Sequence, residues 1–182
     1  MKFPLVLLVI SVIPVAVNAA PTITFQGEVS AQTCETEVNK ETNSIVLLNN
    51  VSVAQLSGAG SKAGLTPFTV TIKNCTAPTT DLQVNTKFLG HNVTTAGNLA
   101  NLIAPADNGA DNGADNVAIQ ITTNESGTTP VVLNGVTRVP GLVLKKDETT
   151  ASHTFGVQYI SENGNAKAGQ VKAMVEYTVG YL

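Results

Sequence analysis

The stretch that decides the fold is the last one, GQVKAMVEYTVGYL, residues 169–182. Every second residue from Val171 is apolar or aromatic: Val171, Ala173, Val175, Tyr177, Val179 and Tyr181. Between them stand Lys172, Met174, Glu176, Thr178 and Gly180. A period of two places one set on a buried face and the other toward water, the pattern of a strand with one covered side. The chain closes on this strand, from Gln170 to Leu182, so something must lie beside it. An ordinary central strand paired within its own chain has the same periodicity.

The opposite end is not part of the fold. MKFPLVLLVISVIPVAVNAA carries one early cation, Lys2, then an apolar run from Leu5 to Ile13 closed by Pro14. Val17-Asn18-Ala19 follows, with small residues where a signal peptidase reads. The run is too short to span a bilayer. Residues 1–19 are expected to be a signal peptide, and the chain after cleavage behind Ala19 has 163 of the 182 residues. That length suits one domain. Loss of Lys2 takes the net charge from −3 to −4, which argues against nucleic acid as a partner.

Two cysteines, Cys34 and Cys75, lie in an exported chain, and one disulfide is the simple reading. Strand signals recur in short runs: TITFQGEV, SIVLL, PFTVTIKNC, DLQVNTKFL, VAIQITT, PVVLNGV, GLVL and SHTFGVQYI. Many short strands at this spacing predict an all-β sandwich or barrel. Asn134-Gly135 is a hairpin signal. A turn or two of helix is expected in SVAQLSG, capped by Ser52. The segment PADNGADNGADN repeats Asp-Asn-Gly-Ala. Its oxygens would suit calcium, but the closing Glu of an EF-hand loop is missing, so a flexible polar loop is expected. His91 and His153 are framed by no nucleophile elbow, phosphate loop or metal spacing, and no enzyme, cofactor or metal site is read from this chain.

FQGEVSAQTC (residues 25–34), LTPFTVTIKNC (65–75) and the C-terminal motif, with Gly169 fourteen residues from the end and Tyr181 next to last, together resemble the type 1-like pilins. These are the fimbrial subunits of chaperone–usher pili of Gram-negative bacteria. The resemblance spans nearly all of the chain behind the leader. It implies an incomplete immunoglobulin-like sandwich that lacks its last strand. It implies partners as well: a periplasmic chaperone that lends a strand, an outer-membrane usher, and neighbouring subunits. The next subunit's N-terminal segment then replaces the lent strand, a β-augmentation. On this reading residues 20–27 are the donor segment, with Pro21, Ile23, Phe25 and Gly27 as its alternating positions, and 28–182 form the pilin domain. Gly169, Val171, Ala173, Val175, Tyr177, Val179 and Tyr181 are the groove-edge and chaperone-binding strand. The donor segment is shorter than is usual in the family. The expected product is a surface fimbrium for adhesion, with this chain as its major shaft subunit. A minor tip or adaptor pilin and a self-complete secreted lectin-like module are the alternatives.

Overall fold

The computed structural model describes residues 29, 31, 32, 34–105 and 112–181. Among them there is no α-helix. Eight strands carry the fold: β1 (Glu35–Val38), β2 (Ser61–Lys73), β3 (Leu82–Gly90), β4 (Leu99–Ala100), β5 (Ala118–Thr122), β6 (Val136–Leu144), β7 (Ala151–Ser161) and β8 (Val175–Tyr181). They form two sheets, one in the order β1-β2-β7-β5-β4 and one in the order β6-β3-β8, with every strand pairing antiparallel.

The core lies between the sheets, and alternation sets it. β2 buries Phe68, Val70 and Ile72, while β3 buries Val84, Thr86 and Phe88. Phe155 on β7 stacks on Phe68 at 5.4 Å between centroids and meets Phe88 of the other sheet edge-on at 5.2 Å. Offset and edge-to-face pairs of this kind contribute about 0.5–1.5 kcal/mol beyond area burial. The Phe68–Phe155 pair lies within one sheet, and the Phe155–Phe88 pair joins the two sheets through the core.

The disulfide forms between Cys34 and Cys75, with Cα atoms 4.2 Å apart. It closes the open end of the β1–β2 ladder, where Glu35 faces Lys73. Lys73 Nζ also reaches Glu37 Oε2 at 2.6 Å. A covalent bond is useful here because β1 is a four-residue edge strand.

Two sequence expectations change, and a third is met in a tighter form. SIVLL belongs to no strand: residues 44–48 form no regular element, with Val46 and Leu48 half-buried against the core and Ile45 and Leu47 each 82 % exposed. Periodicity is present, but no described strand lies beside it to bond. Asn134-Gly135 is not a hairpin turn within one sheet. Val131 donates to Ile121 of β5, whereas β6 pairs with β3 in the other sheet, so this turn carries the chain between sheets. The burial of Val131 and Leu133 in the core fixes the first arm. The expected helix is one 3₁₀ turn, Val53–Leu56, with the Gln55 side chain accepting the Ser52 N–H at 3.0 Å.

Candidate functional site: the open edge of the three-stranded sheet

β8 has one neighbour. It pairs with β3 from Val84↔Tyr181 to Gly90↔Val175, and among the described residues no strand lies on its other side. The side chains of Val175, Tyr177, Val179 and Tyr181 are half-buried and pack on the core, while Glu176 and Thr178 face out. Val171 and Ala173 pack on the same core and are half-buried too.

The backbone follows the same period. The N–H of His91 donates to Met174 O at 3.2 Å, so the pair 91/174 is hydrogen-bonded. In an antiparallel ladder bonded pairs alternate with unbonded ones, and each residue turns its N–H and C=O to the same side. Pairs 89/176, 87/178 and 85/180 are therefore the bonded ones. Val175, Tyr177 and Val179 turn their backbone groups away from β3, to the open edge. The residues that put side chains into the core are thus also those that offer donors and acceptors sideways. Such an edge is a template for another strand. A buried polar backbone group left unpaired costs free energy comparable to a lost hydrogen bond.

The stretch 169–174 is not part of β8, contrary to the expectation of one strand from Gln170 to Leu182. β3 ends at Gly90, and beyond it the chain turns away, so Gln170 and Lys172 find other partners. Gln170 N donates to Asn112 O at 2.6 Å and its O accepts from Ala114 N at 2.9 Å. Lys172 O accepts from Leu102 N at 2.8 Å, and Lys172 N donates to Asn101 Oδ1 at 3.0 Å. Gly169 passes so close to this segment that a Cβ would lie 2.3 Å from Gly113 C and Ala114 N.

The last unit of the Asp-Asn-Gly-Ala repeat is therefore not a free loop. Asn112–Asn116 docks on the C-terminal segment, and Lys167 Nζ reaches Asp115 Oδ2 at 2.8 Å. The Lys167 ammonium holds the Asp115 carboxyl below its ordinary value. Residues 106–111 lie outside the described residues. The signal for this docking in the sequence is slight: a Gly with no turn to make.

His91 sits at the end of β3 with Nε2 2.9 Å from Glu176 Oε1 on β8. His153 lies edge-on to Phe155 and its Nε2 is 2.8 Å from Thr123 O. Both histidines thus have structural partners. A hollow of about 240 Å³, its wall more apolar than polar, is lined by Ile103, Pro105 and Val117 and by Thr94, Asp115 and Glu162. Its groups are engaged: Glu162 Oε1 accepts from Thr94 Oγ1 and Asn98 Nδ2, each at 2.6 Å. No cluster of three metal-ligating side chains occurs among the described residues, and no helix there is long and apolar enough to cross a membrane. Pro21, Ile23, Phe25 and Gly27 lie outside the described residues.

The fold defines a class: an all-β sandwich of two antiparallel sheets, with the β8 edge of the smaller one open among the described residues. The fimbrial protein family matches residues 23–181, and the chain belongs to that family. It is 33 % identical over 161 residues to the F17 fimbrial protein of Escherichia coli, covering 87 % of this chain and 86 % of that one. It is 32 % identical over 165 residues to the minor fimbrial subunit HifD of Haemophilus influenzae, covering 87 % and 73 %. It is 30 % identical over 175 residues to the major fimbrial subunit SMF-1 of Stenotrophomonas maltophilia, covering 92 % and 96 %. In fold it is similar to the P pilus rod subunit PapA, with TM-score 0.56 at 15 % identity over 82 % of this chain and 99 % of that one. A type I fimbria protein of Burkholderia pseudomallei gives 0.54 at 21 % identity, over 83 % and 100 %. The chain is a fimbrial subunit, not an enzyme, and its place is a surface fimbrium assembled from neighbouring pilin subunits.

Proposed function

We propose that this chain is the shaft subunit of a chaperone–usher pilus and polymerises by donor-strand exchange. The observation that carries the reading is the coincidence on one edge. Val175, Tyr177 and Val179 leave their side chains half-covered and their backbone groups turned outward. A strand laid there would cover both at once. The donated strand is residues 20–27 of the next copy, placing Pro21, Ile23, Phe25 and Gly27 along the edge, while residues 28–182 are the accepting domain. Cleavage after Ala19 frees that segment. Before assembly a periplasmic chaperone covers the edge, and an outer-membrane usher directs the exchange. The contact is head-to-tail, so repetition gives a filament rather than a closed ring.

The shaft role is supported by one chain holding both a donor segment and an accepting edge, so each copy can follow another. A major subunit, SMF-1, matches this chain nearly end to end. Fully burying one apolar anchor contributes roughly 1.5–3 kcal/mol. Replacing Phe25 with Asp would instead bury an unpaired charge. The test is filament yield by electron microscopy, with pull-down of the subunit–chaperone complex alongside. Phe25→Asp should still be captured by the chaperone but form no filaments. Normal filaments from that variant, or a wild-type chain that stays soluble and monomeric without a chaperone, would overturn the proposal. The second outcome would favour a self-complete binding module.

A further inference from the structure

Three Asn-Gly pairs stand among the described residues, at 112–113, 134–135 and 163–164, and the fold treats them differently. A fourth, 108–109, lies outside them. Gly113 is buried, its N–H donates to Ala104 O at 3.0 Å, and Asn112 O accepts from Gln170 N at 2.6 Å. Gly164 is buried too. A Cβ on it would lie 2.8 Å from Ser57 O, and the next residue, Asn165, donates its N–H to that same oxygen at 3.0 Å. Asn134 and Gly135 are both exposed. No atom lies within 4 Å of a Cβ placed on Gly135. Neither the Gly135 N–H nor the Asn134 side chain bonds to any described residue.

We propose that Asn134 is a self-modifying site, at which the chain converts an asparagine to aspartate and isoaspartate without an enzyme. A glycine nitrogen is the least hindered main-chain nucleophile, because no Cβ stands beside it. Gly135 N attacks Asn134 Cγ, its proton passes to water, and the Cγ–Nδ2 bond breaks as ammonia leaves. The product is a five-membered succinimide. Water then opens the ring at one of its two carbonyls. Breaking the bond from Gly135 N to Cγ leaves aspartate. Breaking the bond from Gly135 N to the main-chain carbonyl carbon leaves isoaspartate, with one more carbon in the main chain. In sum one water is consumed and one ammonia released, with no change of oxidation state.

The turn absorbs this change at its tip. Its first arm is anchored by the buried Val131 and Leu133, whose N–H groups donate to Ile121 O at 2.8 Å and Gly97 O at 2.9 Å. Its second arm is held by the pairing of Val136 with Leu89. Thr137 Oγ1 accepts from Asn134 N at 3.2 Å and donates to Val132 O at 3.0 Å, so the residue before the attacking nitrogen is held in place. The extra carbon and the new carboxylate both fall in water. The pairs at 112–113 and 163–164 are pinned between segments instead, and each must open locally before a ring can form.

Site-resolved mass spectrometry of the mature chain, kept folded near neutral pH, tests the proposal. Electron-transfer fragmentation separates isoaspartate from aspartate. Asn134 should convert about tenfold or more faster than Asn112 and Asn163, since those two wait on local opening. Isoaspartate should appear among its products. In the chain unfolded by guanidinium that gap should close, because all three pairs are then equally open. An intact Asn134, equal rates at all three sites in the folded chain, or aspartate with no isoaspartate would each overturn the proposal. So would a gap that persists in guanidinium, since local sequence and not the fold would then set it. None of these outcomes depends on how the subunit polymerises.

Discussion

Single residues in this fold do work that their type alone does not announce. Gly141 has φ +129° at the bulge where Pro140 and Gly141 together face Asn85, and a Cβ there would lie 2.5 Å from the His153 ring. Gly141→Ala should therefore push His153 off Thr123 O and Phe155, with a loss of roughly 1–3 kcal/mol from backbone strain. Urea unfolding would read it, and an unchanged midpoint would show that the ring moves aside freely. The Cys34–Cys75 bond closes a loop with a sequence separation of 41. The chain-entropy model gives it ~4 kcal/mol. The double change Cys34→Ser with Cys75→Ser should lower the unfolding free energy by about that much, measured in the periplasmically expressed chain. These two residues were legible from composition and export. Asn101, whose Oδ1 accepts from Lys172 N, was not, because a polar residue between apolar ones has no signature until the segment it ties is in place.

At the scale of elements, the outer side of the five-stranded sheet carries a buried polar chain. Gln158 Nε2 donates to Gln120 Oε1 at 3.0 Å and to Gly127 O at 3.1 Å, and Gln120 Nε2 donates to Asn98 Oδ1 at 3.0 Å. Asn98 in turn reaches Glu162. This row fastens the loops after β3 and β5 to β5 and β7. Gln158→Leu leaves a buried carbonyl and a buried amide oxygen unmatched, at about 1–3 kcal/mol. Thermal unfolding should shift down accordingly, while Gln83→Lys at an exposed position of β3 should change little. β3, β5 and β7 are legible in the sequence nearly to their ends, because each has a clean inward period or a continuous apolar run, whereas β2 begins six residues before its expected run and β8 five residues after. The sequence reading failed where pairing decides. SIVLL has strand composition and no described neighbour. PVVLNGV has hairpin residues, yet its two arms belong to different sheets. The groove edge was located as to residues but not as to partners: 169–174 and 175–181 read as one strand and are held by two different supports.

For the whole molecule, surface charge sets little of the stability. Asp81 and Asp115 are held below their ordinary value of 3.8, the first by Lys145 and the Lys146 N–H, the second by Lys167. Lys73 is held above 10.5 by Glu37. Depressed carboxyls give stability that is present above their unfolded value and lost as pH falls through the folded one. The raised lysine gives stability present below its unfolded value and lost as pH rises through the folded one. Between these limits the three pairs contribute a flat, salt-screened term, small for exposed groups. Near neutral pH these three pairs add no pH dependence, and occupation of the open edge should raise stability there. The Phe25→Asp chain, an acceptor that cannot donate, isolates that effect. A synthetic peptide of residues 20–27 supplied at one hundred times its dissociation constant stabilises the acceptor by about 2.7 kcal/mol. For a domain of this size that corresponds to a rise in Tm of about 5–10 °C. The same peptide with Phe25→Asp should give no rise, since it offers a charge where an apolar anchor is needed. Differential scanning calorimetry at pH 7 should return this increment. An increment that appears with both peptides would mean unspecific cover of an apolar face, and none with either would mean the edge takes no strand from this segment.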